Sequence, residues 1–179
     1  MDSFTNDTYI VLDLPKKISE KIKRIRKDYH YPDVLPVEIT LTGSSGIGVF
    51  QPGQKPNDVF EEVNKIADQI PAVMVSFSHV MNFPGTNIFF FTLKNEEPLR
   101  DIHQEFKNSR IKFKDSPFPY KPHCTLCNLT TISEKEKQEL LNLDFPEEFT
   151  LDTLSVYSLQ DRINEDVKVN VLHRVNLSG

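Results

Sequence analysis

Cysteine is scarce in this chain: two of 179 residues, Cys124 and Cys127, too close in sequence to build a disulfide framework. A reducing compartment is the natural reading. Long apolar runs are missing too. The opening segment, MDSFTNDTYIVLDLPKK, puts acidic and polar residues where a leader needs positive charge, and its apolar stretch from Tyr9 to Leu12 is too short to target or span a membrane. The expectation is a soluble cytoplasmic protein with no membrane partner. An excess of positive charge is lacking as well: the net is −5, which argues against unspecific binding of nucleic acid or anionic lipid by the whole surface. Neither a low-complexity linker nor a long internal repeat divides the chain. Hydrophobic residues make up 38% of it, enough for one ordinary domain or two small lobes and too many for disorder.

The charge that is present is unevenly placed. Lys16, Lys17, Lys21, Lys23, Arg24, Arg26 and Lys27 stand against Glu20 alone, a net of +6 within residues 16–27 that leaves −11 for the rest. Ile18, Ile22 and Ile25 recur at helical spacing behind Pro15, so the segment reads as an amphipathic helix with a basic outer face. Around it the pattern alternates. Strands are expected at 8–14, 37–42, 72–80 and 88–93, with a helix after Pro56 carrying Val59, Phe60, Val63, Ile66, Ala67 and Ile70 on one stripe. A third helix runs through Leu99, Ile102 and Phe106. Three prolines between Asp115 and Pro122 forbid regular helix there and deliver the chain into a strand at His123. Ser133 and Glu136 spell a capping box for a helix ending near Leu143, and two strands, 149–159 and 167–177, close the chain across 161–165. The order predicts an α+β fold with mostly antiparallel sheet.

One short echo carries chemistry. Glu38-Ile39-Thr40-Leu41 and His123-Cys124-Thr125-Leu126 share the pattern titratable residue, any residue, Thr, Leu, on two expected strands in opposite halves of the chain. Alternation sends Glu38 and Thr40 to one face of the first strand; His123, Thr125 and Cys127 share a face of the second, opposite Cys124 and Leu126. The stretch Tyr120-Lys121-Pro122-His123-Cys124-Thr125-Leu126 resembles the second signature of the two-histidine (2H) phosphoesterase superfamily, which includes 2′-5′ RNA ligase-like proteins and cyclic phosphodiesterases. Glu38-Ile39-Thr40-Leu41 aligns with that family's first His-x-Thr-Leu.

The resemblance implies one bilobal domain over 1–179, its antiparallel sheets related by a pseudo-twofold axis with helices outside. The motif strands, 37–42 and 123–129, would face each other across a central cleft. It implies metal-free and cofactor-free chemistry on a phosphodiester, often a 2′,3′-cyclic phosphate, by paired histidines acting as acid and base. His123 is then the surviving catalytic histidine, Glu38 stands in the other's place, and Thr40 and Thr125 bind phosphate oxygens. Tyr120 either stacks on a base or fills the cleft wall, and Lys121 is a candidate substrate contact. A monomer acting on a nucleotide or an RNA end is expected.

Glutamate changes the chemistry. Ionised, it cannot donate a hydrogen bond, and beside a phosphate at ~4 Å in an effective dielectric near 20 a like charge costs about 4 kcal/mol. Either Glu38 is protonated by burial, or it positions water while His123 is the acid, or the cleft binds a ligand without turning it over. A protein-interaction module using the basic helix is the remaining alternative. The other candidates read as structural. Cys124-x-x-Cys127 lacks two further metal ligands. His79, His103 and His173 read as core-edge residues, and Gly43 to Gly48 reads as a mobile loop without the lysine of a phosphate-binding loop.

Overall fold

The computed structural model describes residues 3–31, 35–160 and 168–178. Strand β1 (Asp7–Asp13) buries Thr8, Ile10 and Leu12 on one face and carries Tyr9, Val11 and Asp13 on the other. Pro15, whose fixed φ suits a helix entry, leads into α1 (Lys16–Asp28). There follow β2 (Glu38–Thr40), β3 (Ile47–Phe50), α2 (Pro56–Ala67), β4 (Val73–Asn82), β5 (Ile88–Leu93) and α3 (Glu97–Lys107). The chain continues through β6 (Phe113–Asp115), β7 (Cys124–Asn128), α4 (Glu134–Leu141), β8 (Glu148–Leu151), β9 (Thr153–Gln160) and β10 (Lys168–Asn176). The fold is α+β, and every strand pairing among the described residues is antiparallel.

Two four-stranded sheets dominate, ordered β10-β9-β1-β2 and β7-β5-β4-β8. Both are built alike at one end. An edge strand carries the echoed motif and pairs with the strand that precedes it through a helix: β2 beside β1 after α1, and β7 beside β5 after α3. The motif-bearing edges touch, β2 against β7. Phe77, Phe91, Phe145 and Phe149 interlock at ring-centroid distances of 4.8 to 5.8 Å under the second sheet, each such aromatic contact adding about 1 kcal/mol beyond burial. Among the described residues no helix is long and apolar enough to cross a membrane.

Four details depart from the expected pattern. Residues 149–159 are not one strand: the chain breaks at Asp152, β8 joining the second sheet beside β4 and β9 the first beside β1. The Gly43 to Gly48 stretch is a turn into a strand, because β3 pairs with β6 and Gly43 N–H donates to the Ile47 carbonyl at 2.8 Å. His79 is exposed rather than at the core edge, since a register shift between Phe77 and Val80 turns Val80 inward. A second shift sets Thr125 opposite Phe90 but Cys127 opposite Phe89, so both cysteines lie on the core side as free, buried thiols. The expected capping box is present in both its hydrogen bonds. The turn expected at 161–165 lies outside the described residues.

Candidate active site

The first motif sits on the face of β1 and β2 that bears Tyr9, Val11 and Asp13. Glu38 pairs with Asp13 and Thr40 with Val11 across the ladder, so all four side chains share that face. Asp13 is held by neighbours: its carboxylate accepts from Tyr157 Oη at 2.6 Å, Ser155 Oγ at 2.8 Å and Arg174 Nε at 2.8 Å. Glu38 differs. It is half-buried, yet its Oε2 is enclosed and has no hydrogen-bond partner. Burial pushes its pKa up to about 8; the Arg26 guanidinium and the Thr40 hydroxyl pull against this, while Asp13 reinforces it. At neutral pH this carboxyl is mostly protonated, with its Oε2 left unpartnered.

His123 comes from the extended, proline-bounded stretch that enters β7. It is 5% exposed, held edge-on by Phe83 and Phe90 at ring-centroid distances of 5.2 and 5.1 Å. Its Nδ1 lies 2.6 Å from the Lys121 carbonyl. A carbonyl only accepts, so Nδ1 carries the proton and Nε2 keeps its lone pair, with no hydrogen-bond partner in the described chain. Burial pushes its pKa below the ordinary value, outweighing the opposing pull of that hydrogen bond. The imidazole is therefore neutral at pH 7.

Backbone clamps tie the two motifs together. Tyr120 Oη donates to the Thr40 carbonyl at 3.1 Å, and its ring stacks on His103 at 3.9 Å. His103 Nδ1 donates to the Leu41 carbonyl at 2.7 Å. From α1, Arg26 donates to the carbonyls of Thr125 at 2.8 Å, Leu35 at 2.7 Å and Pro36 at 3.1 Å. Each threonine is thus fixed through its own carbonyl by a residue from outside its motif. Thr40 and Thr125 are half-buried.

Not every expected residue converges. Glu38 and His123 share no hydrogen bond or ion pair; the side chains acting on Glu38 are Arg26, Asp13 and Thr40, whereas the charges acting on His123 are Lys121 and Glu96. Lys121 is ion-paired to Glu96, which also binds Arg100. Tyr120 is buried, with one ring face against His103. Among the described residues no group of three or more His, Cys, Asp and Glu is placed to hold a metal ion.

A family model, the 2′-5′ RNA ligase superfamily, matches residues 14–162. The chain belongs to that superfamily. No curated protein sequence matches it, so the kinship shows only as pattern and shape. Among solved structures, Escherichia coli LigT in its apo form superposes with a TM-score of 0.64 at 13% identity over 100% of both chains. LigT complexed with 3′-AMP gives 0.63 at 14% over 97% of this chain and 99% of LigT. TT0787 of Thermus thermophilus gives 0.65 at 13% over 97% and 98%. The 2H phosphoesterase fold expected from the motif echo is thereby established.

Sequence reasoning misses Arg26 and Asp13. It groups Arg26 with the basic outer face, but the residue is 3% exposed. Its position four residues after Ile22, on the Ile18 and Ile22 stripe, is the signal that places it inside. Asp13 carries no local signal, because its partners lie in strands more than 140 residues away.

Proposed function

We propose that this member of the 2′-5′ RNA ligase superfamily is a metal-free phosphodiesterase that opens a 2′,3′-cyclic phosphate or cleaves a 2′-5′-linked nucleotide at an RNA end. The motif strands are its facing walls in a single bilobal domain. His123 is the base and Glu38, in its protonated form, is the acid. The observation that carries this is the orphaned, enclosed Oε2 of a carboxyl whose pKa is pushed up to about 8. In hydrolysis His123 Nε2 takes a proton from water as its oxygen attacks phosphorus. The P–O bond to the ribose oxygen breaks, and Glu38 delivers its proton to that oxygen. Thr40 and Thr125 donate to the non-bridging oxygens. A neutral carboxyl escapes the repulsion of about 4 kcal/mol that an ionised one would feel at ~4 Å from phosphate. The anion itself raises the carboxyl's pKa further. LigT, which shares this fold, has been solved with 3′-AMP, with phosphate and with ATP, all of them phosphate-bearing ligands.

The test is turnover of a panel of 2′,3′-cyclic and 2′-5′-linked nucleotides without added metal, followed by phosphorus NMR. Activity that falls about 100-fold or more in His123→Ala is expected. Saturable, salt-sensitive binding of the same nucleotides with no product from any of them overturns the catalytic reading in favour of a nucleotide-binding protein.

A further inference from the structure

The chain builds a second cavity that the phosphodiester reading does not use. It has a volume of about 590 Å³ and lies between one face of α3 and the proline-rich stretch that leads to β7. Glu38, Thr40, His123 and Thr125 are absent from its lining, and among the described residues no acid lines it, although the chain carries a net charge of −5. Arg100, His103, Gln104 and Lys107 fall at i, i+3, i+4 and i+7, so α3 presents them together.

Two observations point to a ligand there. His103 is 7% exposed, anchored through Nδ1 to the Leu41 carbonyl. Its Nε2 has no hydrogen-bond partner among the described residues, and it is not enclosed as Glu38 Oε2 is, so its lone pair meets the cavity that the ring lines. Burial pushes the His103 pKa below the ordinary value, against the pull of the Leu41 carbonyl; the charges of Lys107 and Arg100 push it the same way as burial, and the ring is neutral at pH 7. The second observation is Gly46. At φ +73° it lays bare backbone against the imidazole, and a Cβ there would collide with Cε1 and Nε2. Any other residue would cover the unpartnered nitrogen.

The same cavity offers donors to an anion. Lys107 is exposed and, among the described residues, in no ion pair or hydrogen bond. Ser116 Oγ accepts from the Phe118 N–H at 3.4 Å, which leaves its own proton to give. Arg100 is already spent on Glu96 and on the Tyr120 carbonyl, where it holds the backbone of the wall. A ligand that satisfies this set presents anionic oxygens to Lys107 and Ser116 and a hydroxyl to His103 Nε2, because a ring nitrogen with a lone pair accepts and does not donate. Hydrogen phosphate carries both, and so does a phosphomonoester with a neighbouring alcohol. Sulfate carries only the first.

We propose that this cavity is a second ligand site, separate from the motif residues, that takes a small phosphate bearing a hydroxyl donor, either hydrogen phosphate itself or a hydroxylated phosphomonoester. Lys107 and Ser116 hold the anionic oxygens, and His103 Nε2 accepts from the hydroxyl. The site stands apart from the phosphodiester reading, in which none of these three residues takes part.

Imidazole nitrogen NMR of the histidine-labelled protein reads the two places apart, His103 for the cavity and His123 for the motifs. At about pH 8, where both rings are neutral and phosphate is a dianion, inorganic phosphate and glycerol phosphate are each titrated in. At least one of them should move the His103 Nε2 signal to saturation. Tighter binding of the ester names an organic phosphate as the ligand, and binding of inorganic phosphate as tight or tighter names the free ion; either result upholds the site. Sulfate should bind at His103 about tenfold or more weakly, and Lys107→Gln should weaken phosphate there by a similar factor while leaving any response of His123 unchanged. Lys107 is exposed, so the variant keeps its fold. A His103 signal that neither phosphate nor glycerol phosphate moves, or that sulfate moves equally well, overturns the proposal. A response at His103 with none at His123 upholds it and counts against the motif reading alone.

Discussion

At the scale of the residue, the acid role proposed for Glu38 depends on where its carboxyl sits. An exposed glutamate is ionised at pH 7 and opposes an anion; this one is enclosed and holds its proton up to about pH 8. His123, its partner in the proposal, is displaced the opposite way by burial. The two shifts set the pH profile: activity rises as His123 loses its proton below its ordinary pKa, and falls near pH 8 as Glu38 loses its own. Rates measured across about pH 5 to 9 should show both limbs. Glu38→Gln keeps a hydrogen-bond donor but has no proton to transfer, so its alkaline limb should vanish and its kcat fall by about 100-fold or more. Glu38→His restores an acid with a lower pKa, and its falling limb should move to lower pH. An alkaline limb that survives unchanged in Glu38→Gln assigns that proton to another group. The residue types at positions 38, 40, 123 and 125 are legible in the sequence. The protonation of Glu38 is not, because it depends on enclosure by strands distant in the chain.

At the scale of the element, the motif strands are short edges held by others. Arg26 on α1 anchors Thr125 and the approach to β2, and Tyr120 anchors Thr40. Hydrogen bonds from a charged donor contribute about 1.5 to 3 kcal/mol each, so Arg26→Met, which keeps much of the volume, should cost at least ~3 kcal/mol in denaturant unfolding. Arg26 also draws the Glu38 pKa down, so in the surviving fold the alkaline limb should move above its wild-type position. A cost in stability with no movement of that limb separates the clamp from the electrostatic effect. Gly46 is a second constraint. At φ +73°, a Cβ there would lie 2.3 Å from His103 Cε1 and 2.7 Å from Tyr120 Cβ, so Gly46→Ala should disturb the His103 and Tyr120 stack. That variant is expected to lower the Tm and raise KM together. The helices and most strands are readable because apolar spacing is local. The break at Asp152, the small β3 and β6 sheet and the inward Cys127 are not, because each follows from which strand lies alongside, and the sequence does not state its neighbours.

At the scale of the whole molecule, the same buried groups couple the fold to pH. Three histidines, His103, His123 and His173, have pKa values lowered by burial. The unfolded chain therefore binds more protons than the native one just below about pH 6.5, and their contribution is lost as pH falls through that window. Glu38 works in the other direction. Its native pKa lies above the unfolded value of 4.5, so the native chain binds the extra proton between 4.5 and about 8 and stability declines as pH rises through that interval. Cys124 and Cys127, pushed up to about 12 and about 11, act only above the ordinary thiol pKa of 9.0. Between about pH 7 and 8 the decline then belongs to Glu38 alone among the shifted groups, since the histidines have already released their protons. Tm measured in this window should drop with rising pH in the wild type and stay level in Glu38→Gln. A Tm that stays flat in both means that the native carboxyl is already ionised at pH 7. The proton on which the proposed acid step depends would then be missing from the free protein, and a bound anion would have to supply the shift.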